Sequence, residues 1–556
     1  MFNLQKGRFN YFLPVRSLLG VLLIMLALTF SACASGSDRD RNHFLDYLPD
    51  SMQVGAAHLP DSITPIKAPF ATVDFKRPDF PDTTVNIANN GADTSKSVTT
   101  IIQQAIDQLS ATGGGTVLIP AGHWKTGRIE LKSNINLHLS DQATLSFSGA
   151  VEDYQPAVFT RSEGIEVMSL GACIYANNAD NIAITGKGKL IGPALNGSVR
   201  NQVMDSIVIE DFVSYKTPVK DRVYDGKNGG YIFLPMFISP INCTHVFIEG
   251  LSLENTAFWN IVPVYCDNVI IRGITVHSVG IPRGDGMDIS SSKNVLVEYC
   301  TLSCGDDCFT LKAGRGEDGL RVNKPTENVV IRNCLAIKGH GGVTIGSETA
   351  AMIKNVFVQN CLFEQTNVGL RFKTRRPRGG GGDSLYYENI RMLTTGKAFQ
   401  WDMLGSTVYV GDLAARLPAR PVNALTPSFK HTYFKNIKID SAEWFIKLNA
   451  IPESPLTQVQ IENLQVYADN LLRAADVDSF SIKNALISTK DTAIHLLDCR
   501  NMRFDNTRFN TKARKLVMDV QGPASRNITF KNCQPERPNG WQTNTYDTSD
   551  RPSSEK

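Results

Sequence analysis

Four short segments of this chain can be laid over one another: Gly286-Met287-Asp288-Ile289-Ser290-Ser291, Cys308-Phe309-Thr310-Leu311-Lys312-Ala313, Gly342-Val343-Thr344-Ile345-Gly346-Ser347 and Gly369-Leu370-Arg371-Phe372-Lys373-Thr374. Each alternates apolar and polar residues, the period of a half-buried strand. Two polar columns then point outward, Asp288-Thr310-Thr344-Arg371 and Ser290-Lys312-Gly346-Lys373. Just upstream, the same register sets Asp285 beside Asp307 and Asp306 beside His340. With neighbouring strands about 4.8 Å apart, three carboxylates, a histidine and three cations share one face. Carboxylates that close cannot all ionise, so one is pushed to keep its proton. A face with one protonated and one ionised carboxyl can both give and take a proton. Taken singly, the Gly-Asp-Asp turn also suits a calcium loop, His340 an ordinary turn, and Arg371 and Lys373 solvated charge. Their coincidence in one register is what favours a site.

Such a face needs strands stacked in parallel. The chain repeats an Asn-hydrophobic pair at Asn134, Asn181, Asn268, Asn294, Asn328, Asn355, Asn389, Asn436 and Asn527, each opening an alternating run, with spacings of 26 and 27 residues where no insertion intervenes. Strands only, turn residues between them and stacked asparagines predict a parallel β-helix, an all-β solenoid. Val98, Ile101, Ile102, Ala105, Ile106 and Leu109 recur at three and four. They predict one helix, capped by Ser97 and ended by Gly113-Gly114-Gly115, that covers the open end of the solenoid. Insertions at about 193–230 and 405–430 are candidates to wall one end of a groove.

The 556 residues are 42% hydrophobic and 20% charged with a net charge of +3, which excludes disorder for the bulk and gives no sign of nucleic-acid binding. Lys6, Arg8 and Arg16 precede the apolar run Leu18 to Phe30 and then Ser31-Ala32-Cys33. This reads as an export signal over residues 1–32. Residues 33–80, with five prolines from Pro60 to Pro81 around their second half, are expected to be a tether and lead-in segment, 81–535 the β-helix and 536–556 a polar tail. Eleven cysteines in an exported chain suggest disulfides. Register argues against them: Cys300, Cys334, Cys361 and Cys533 fall five residues after one equivalent position, and Cys243, Cys266 and Cys499 three before it, as small buried hydrophobes would.

Asp285-Gly286-Met287-Asp288, Gly305-Asp306-Asp307-Cys308, Gly339-His340-Gly341 and Arg371-Phe372-Lys373, in this order, resemble glycoside hydrolase family 28, the polygalacturonases. Gly113 to Val117, Trp259 and Gly346-Ser347-Glu348 extend the resemblance over most of the chain. It implies a right-handed single-stranded β-helix and inverting hydrolysis of α-1,4-galacturonosyl bonds in pectin, without metal or other cofactor. It also implies Asp306 as general acid, Asp285 and Asp307 as the pair that activates water, and His340 as their support. Arg371 and Lys373 would bind a galacturonate carboxylate, with Lys312, Arg283 and Asp288 as further contacts. Arg283-Gly284 replaces the family's Asn-Thr and Val262 replaces a polar groove residue, so the substrate could differ: rhamnogalacturonan or a branched galacturonan is the alternative. A calcium-dependent lyase and a non-catalytic pectin binder are more distant ones. The insertions lean the reading slightly towards action at chain ends. The amino terminus resembles a bacterial lipoprotein signal, with Phe30 where Leu is usual. It implies a monomeric protein held at the outer membrane through lipid on Cys33 alone.

Overall fold

The computed structural model describes residues 43–200, 209–536 and 538. The chain divides into two compact units, residues 1–46 and 47–556. Only 43–46 of the first are described, in the single turn His43–Tyr47. The expected export signal, Cys33 and nearly all of the tail lie outside the described residues.

The strands from Thr84–Asn86 to Arg526–Lys531 form a parallel β-helix. One inward column runs Ile129, Ile174, Ile238, Ile261, Met287, Phe309, Val343, Leu370, Phe399, Ile446, Leu472, Ile494, Met518, each paired with the next. All are buried. A fully buried side chain of this kind contributes about 1.5–3 kcal/mol relative to exposure, so the column alone is a large stabilising term. Further along, Phe372 stacks on Trp401 with ring centres 4.5 Å apart.

The asparagines mark the bends between strands. Asn134, Asn181, Asn294, Asn328 and Asn355 all have φ between 54° and 60°. Asparagine tolerates that left-handed conformation better than other residues with a Cβ. Their amides stack, Asn328 onto Asn294 at 3.1 Å and Asn355 onto Asn328 at 3.0 Å. Asn389 and Asn436, expected in the same series, belong to a second ladder at another bend, where Asn389 donates to Asn360 and Asn436 to Asn389. The repeat therefore has two asparagine positions per coil. The ten described cysteines are free and buried.

The helix Thr99–Ala111 packs Ile102, Ala105, Ile106 and Leu109 onto the first coil. Ser97 does not cap it: the cap position is Val98, and Ser97 Oγ meets Thr99 Oγ1 at 2.9 Å. Residues 47–80 are also more ordered than their prolines suggested. Ile66 and Phe75 cover Ala183, Phe247, Ile270, Leu296, Val330 and Phe357 on the outside of the coil. Buried Arg272 pairs with Glu298 and Glu249 and donates to Pro60 O at 2.7 Å, tying this strap across several rungs.

Candidate active site

The four overlaid segments are neighbouring strands in the expected register. Met287–Ser290 pairs with Phe309–Lys312, that strand with Leu335–Ile345, and that one with Thr366–Lys373. Asp288, Thr310, Thr344 and Arg371 are thus one column. The aspartates stand at its upstream edge, where Gly286 N donates to Asp307 O and His340 N to Asp306 O.

Asp307 is fully buried and held by two cations: Arg371 Nη1 lies 2.9 Å from Oδ1 and Lys373 Nζ 2.7 Å from Oδ2. Burial opposes its charge, but Lys373, Arg371 and then His340 outweigh it and hold the carboxyl well below its ordinary range. A Cβ on Gly341 would lie 2.6 Å from Asp307 Oδ1, so glycine is what lets the strand pass this carboxylate. Asp285, one rung away, is pushed the other way, well above the ordinary range, by burial, Asp288 and Asp306. Asn260 fixes its backbone, donating through N and Nδ2 to Asp285 O at 3.0 and 2.8 Å. Asp306 is the accessible carboxyl, with a third of its side chain exposed and His340 Nδ1 3.4 Å from Oδ1.

Two expected contacts are corrected. Asp288 and Lys312 face outward from the coil yet are buried, Asp288 completely. Lys312 Nζ pairs with Glu348 at 2.9 Å and Asp288 at 3.5 Å and sits 4.5 Å above the Trp259 ring. Both side chains are internal supports rather than groups open to a ligand. Arg371 and Lys373 are also committed, to Asp307, although 16% and 19% of their side chains stay exposed. Arg376 and Arg378 from the same basic run are buried as well, Arg376 on Glu453 and Arg378 on Glu348.

Beside Glu348, the partner of Lys312, lies an antiparallel hairpin that sequence reasoning missed, Val158–Ser162 with Ile165–Ser169, where a Cβ on Gly164 would come within 2.8 Å of Glu348 Cγ. Its two-residue tip, Glu163 and Gly164, has φ of 43° and 85°. A residue followed by glycine between two alternating runs is a hairpin signal that was present to be read. Glu163 holds Arg283 through Oε1 at 3.0 Å and Arg315 through Oε2 at 2.9 Å. Arg283 lies upstream of the strands and Arg315 downstream, so the tip bars the face from edge to edge. Arg161 behind it donates to Ser291 Oγ at 2.7 Å. Arg283, expected as a further substrate contact, is thus part of this bar. The insertion around 405–430 runs alongside: Arg416 reaches Asp476 and Asp498, and Arg376 donates to Leu413 O and Ala415 O.

The ligand atoms of Asp306, Asp307 and His340 lie within 4.8 Å of one another, a geometry that could hold a metal ion. Both Asp307 oxygens are already neutralised by Arg371 and Lys373, so a metal cation there would meet two fixed positive charges.

The glycosyl hydrolases family 28 model matches residues 110–398, just over half of the chain. A "Probable polygalacturonase" of Vitis vinifera is 27% identical over 381 residues, 66% of this chain and 71% of that protein. An exo-poly-alpha-D-galacturonosidase of Dickeya chrysanthemi is 29% identical over 339 residues, 56% of each. The crystal structure of an exopolygalacturonase from Thermotoga maritima superposes with a TM-score of 0.65 at 25% identity, covering 85% of this chain and 96% of that one. Fold, register, the carboxylate cluster and the family match agree, and the chain belongs to glycosyl hydrolase family 28.

Proposed function

We propose that this glycoside hydrolase cleaves the α-1,4-galacturonosyl bonds of pectic galacturonan with inversion, working from a chain end. The observation that carries the reaction is the division of charge among three carboxyls in one site. Asp307 is held ionised by Arg371 and Lys373, Asp285 is driven towards its protonated form, and Asp306 stands accessible beside His340.

Inverting hydrolysis uses one acid and one base about 6.5–9.5 Å apart, with water between base and sugar. Asp306 gives its proton to the leaving glycosidic oxygen as that bond to the anomeric carbon breaks. Asp307 takes a proton from water as the new carbon–oxygen bond forms on the opposite face. Asp285 stays close enough to share that water, and solvent restores both protonation states afterwards. The exposed sides of Arg371 and Lys373 suit the carboxylate of an acidic sugar, Arg through a planar fork and Lys through a point charge.

Action at a chain end is supported by the bar of Glu163, Arg283 and Arg315 on the side of Asp288, whereas Arg371, Gln400, Lys447 and Arg473 along the other side all keep part of their side chains exposed. A product time course on unesterified polygalacturonate tests both parts. Saturated products of inverted anomeric configuration, with short products appearing before viscosity drops, are expected. A steep early fall in viscosity would defeat the end-acting mode. Ultraviolet-absorbing, calcium-dependent products would move the reaction to a lyase, and no products on this polymer would move the substrate to rhamnose-containing or branched pectin.

Export and lipid anchoring at the outer membrane are proposed from Leu18 to Cys33. Palmitate labelling that survives Cys33→Ala would overturn the anchoring.

A further inference from the structure

The column that carries Arg371 continues past the site. Arg371 pairs in register with Gln400, Gln400 with Lys447, Lys447 with Arg473 and Arg473 with His495. Lys447 and Arg473 therefore stand about 10 and 14 Å from Arg371 along the axis, at about 4.8 Å per rung. Between them the half-buried Trp444 turns its ring towards both, with Lys447 Nζ 5.9 Å and Arg473 Cζ 5.8 Å from the ring centre. Lys397 shares the register of Trp444 one rung nearer the site.

None of Lys397, Lys447 and Arg473 belongs to an ion pair among the described residues, although most charged groups around the site do. The acids near them are few. Asp402 is occupied by the backbone N–H groups of Leu404 and Gly405, and Asp519 by His495, which leaves Glu443 exposed on the same face. Partial burial holds the Lys397 ammonium below its usual value, and Lys447 and Arg371 add repulsion to that, so the cations act on one another. Unpaired cations repel and, on a surface of no other use, gain nothing from being aligned. The insertion around 405–430, with Arg416 on Asp476 and Asp498, borders this strip along its downstream edge.

We infer that Trp444, Lys447 and Arg473 form a second binding platform, for the uronate residues of the same polysaccharide that trail out of the closed site. The ring offers an apolar face to a sugar, and the two cations answer carboxylates that recur at each residue of the chain. This rests on the galacturonan reading above and extends it: the closed end sets where the chain is cut, and the platform sets how strongly chain length is rewarded.

The test compares kcat/KM on di- and hexagalacturonate, for the wild type and for Trp444→Ala combined with Lys447→Gln and Arg473→Gln. The wild type is expected to favour the hexamer by about tenfold, equivalent to about 1.4 kcal/mol, and the triple variant to lose most of that ratio. A variant that keeps the wild-type ratio overturns the platform. The Lys447→Gln/Arg473→Gln double variant, which retains the ring, guards against misfolding and should lose part of the ratio. Calorimetry on the Asp306→Asn protein reads binding without turnover. Hexamer binding no tighter than dimer binding would also overturn the platform, whereas tighter hexamer binding without turnover in the wild type would defeat the hydrolase reading and leave the platform standing.

Discussion

Arg371 reaches three residues upstream and across two rungs to put Nη1 2.9 Å from Asp307 Oδ1. A residue expected to hold the substrate's carboxylate thus also holds the enzyme's own. In Arg371→Ala, Asp307 loses one of the cations that depress its pKa. Because the ionised form is the base, activity falls away as pH drops through that pKa, and the acid limb of the kcat/KM profile is expected to move to higher pH. The lowered pKa also contributes stability that is present above the unfolded value and lost as pH falls through the folded one. At neutral pH the variant should lose up to about 3 kcal/mol, the low end for breaking a buried pair, since Lys373 remains. Urea unfolding at pH 7 measures it.

Asp306→Asn removes a transferable proton while keeping the shape. Turnover on polygalacturonate should fall by about 10² to 10⁴. The side chain is a third exposed, so the midpoint of thermal unfolding should hardly move. A variant that retains most of its turnover would take the acid role from Asp306.

Asp288 is buried without a hydrogen-bonded oxygen, and burial pushes its carboxyl up to about 8 despite Lys312. The folded state therefore binds a proton that the unfolded state releases between about pH 4 and 8, and stability falls as pH rises through that window. The slope from this one group reaches at most about 1.4 kcal/mol per pH unit. Asp288→Asn, neutral throughout, should flatten the dependence and be the more stable protein at pH 8. Denaturant midpoints at pH 5 and pH 8 decide it.

Glu163→Ala frees Arg283 and leaves Arg315 on Glu210 alone, so the tip no longer ties the two together. The closed end should loosen, and internal cuts should appear as a steeper viscosity loss for each reducing end formed. An unchanged product pattern would mean that the hairpin backbone, not the ion pairs, closes the face.

The coil, its register and the meeting of Asp285, Asp306, Asp307, His340, Arg371 and Lys373 were all legible from local spacing, because alternation and a parallel ladder transmit position from strand to strand with little freedom. The positions of the buried cysteines followed for the same reason. Which outward side chains stay in water was not legible, since exposure depends on what lies above the strand. Asp288 and Lys312 read as groove residues, yet both are buried, with Lys312 held by Glu348 and the Trp259 ring, which the strand period does not place. The second asparagine ladder was hidden because Asn355 and Asn389 look alike in sequence and differ only in which bend they occupy. The sequence alone determined the strand period and the residue types on each face. Only the tertiary structure decided which of those charges neutralise one another, because ion pairing and burial are set by through-space distances that the repeat does not encode.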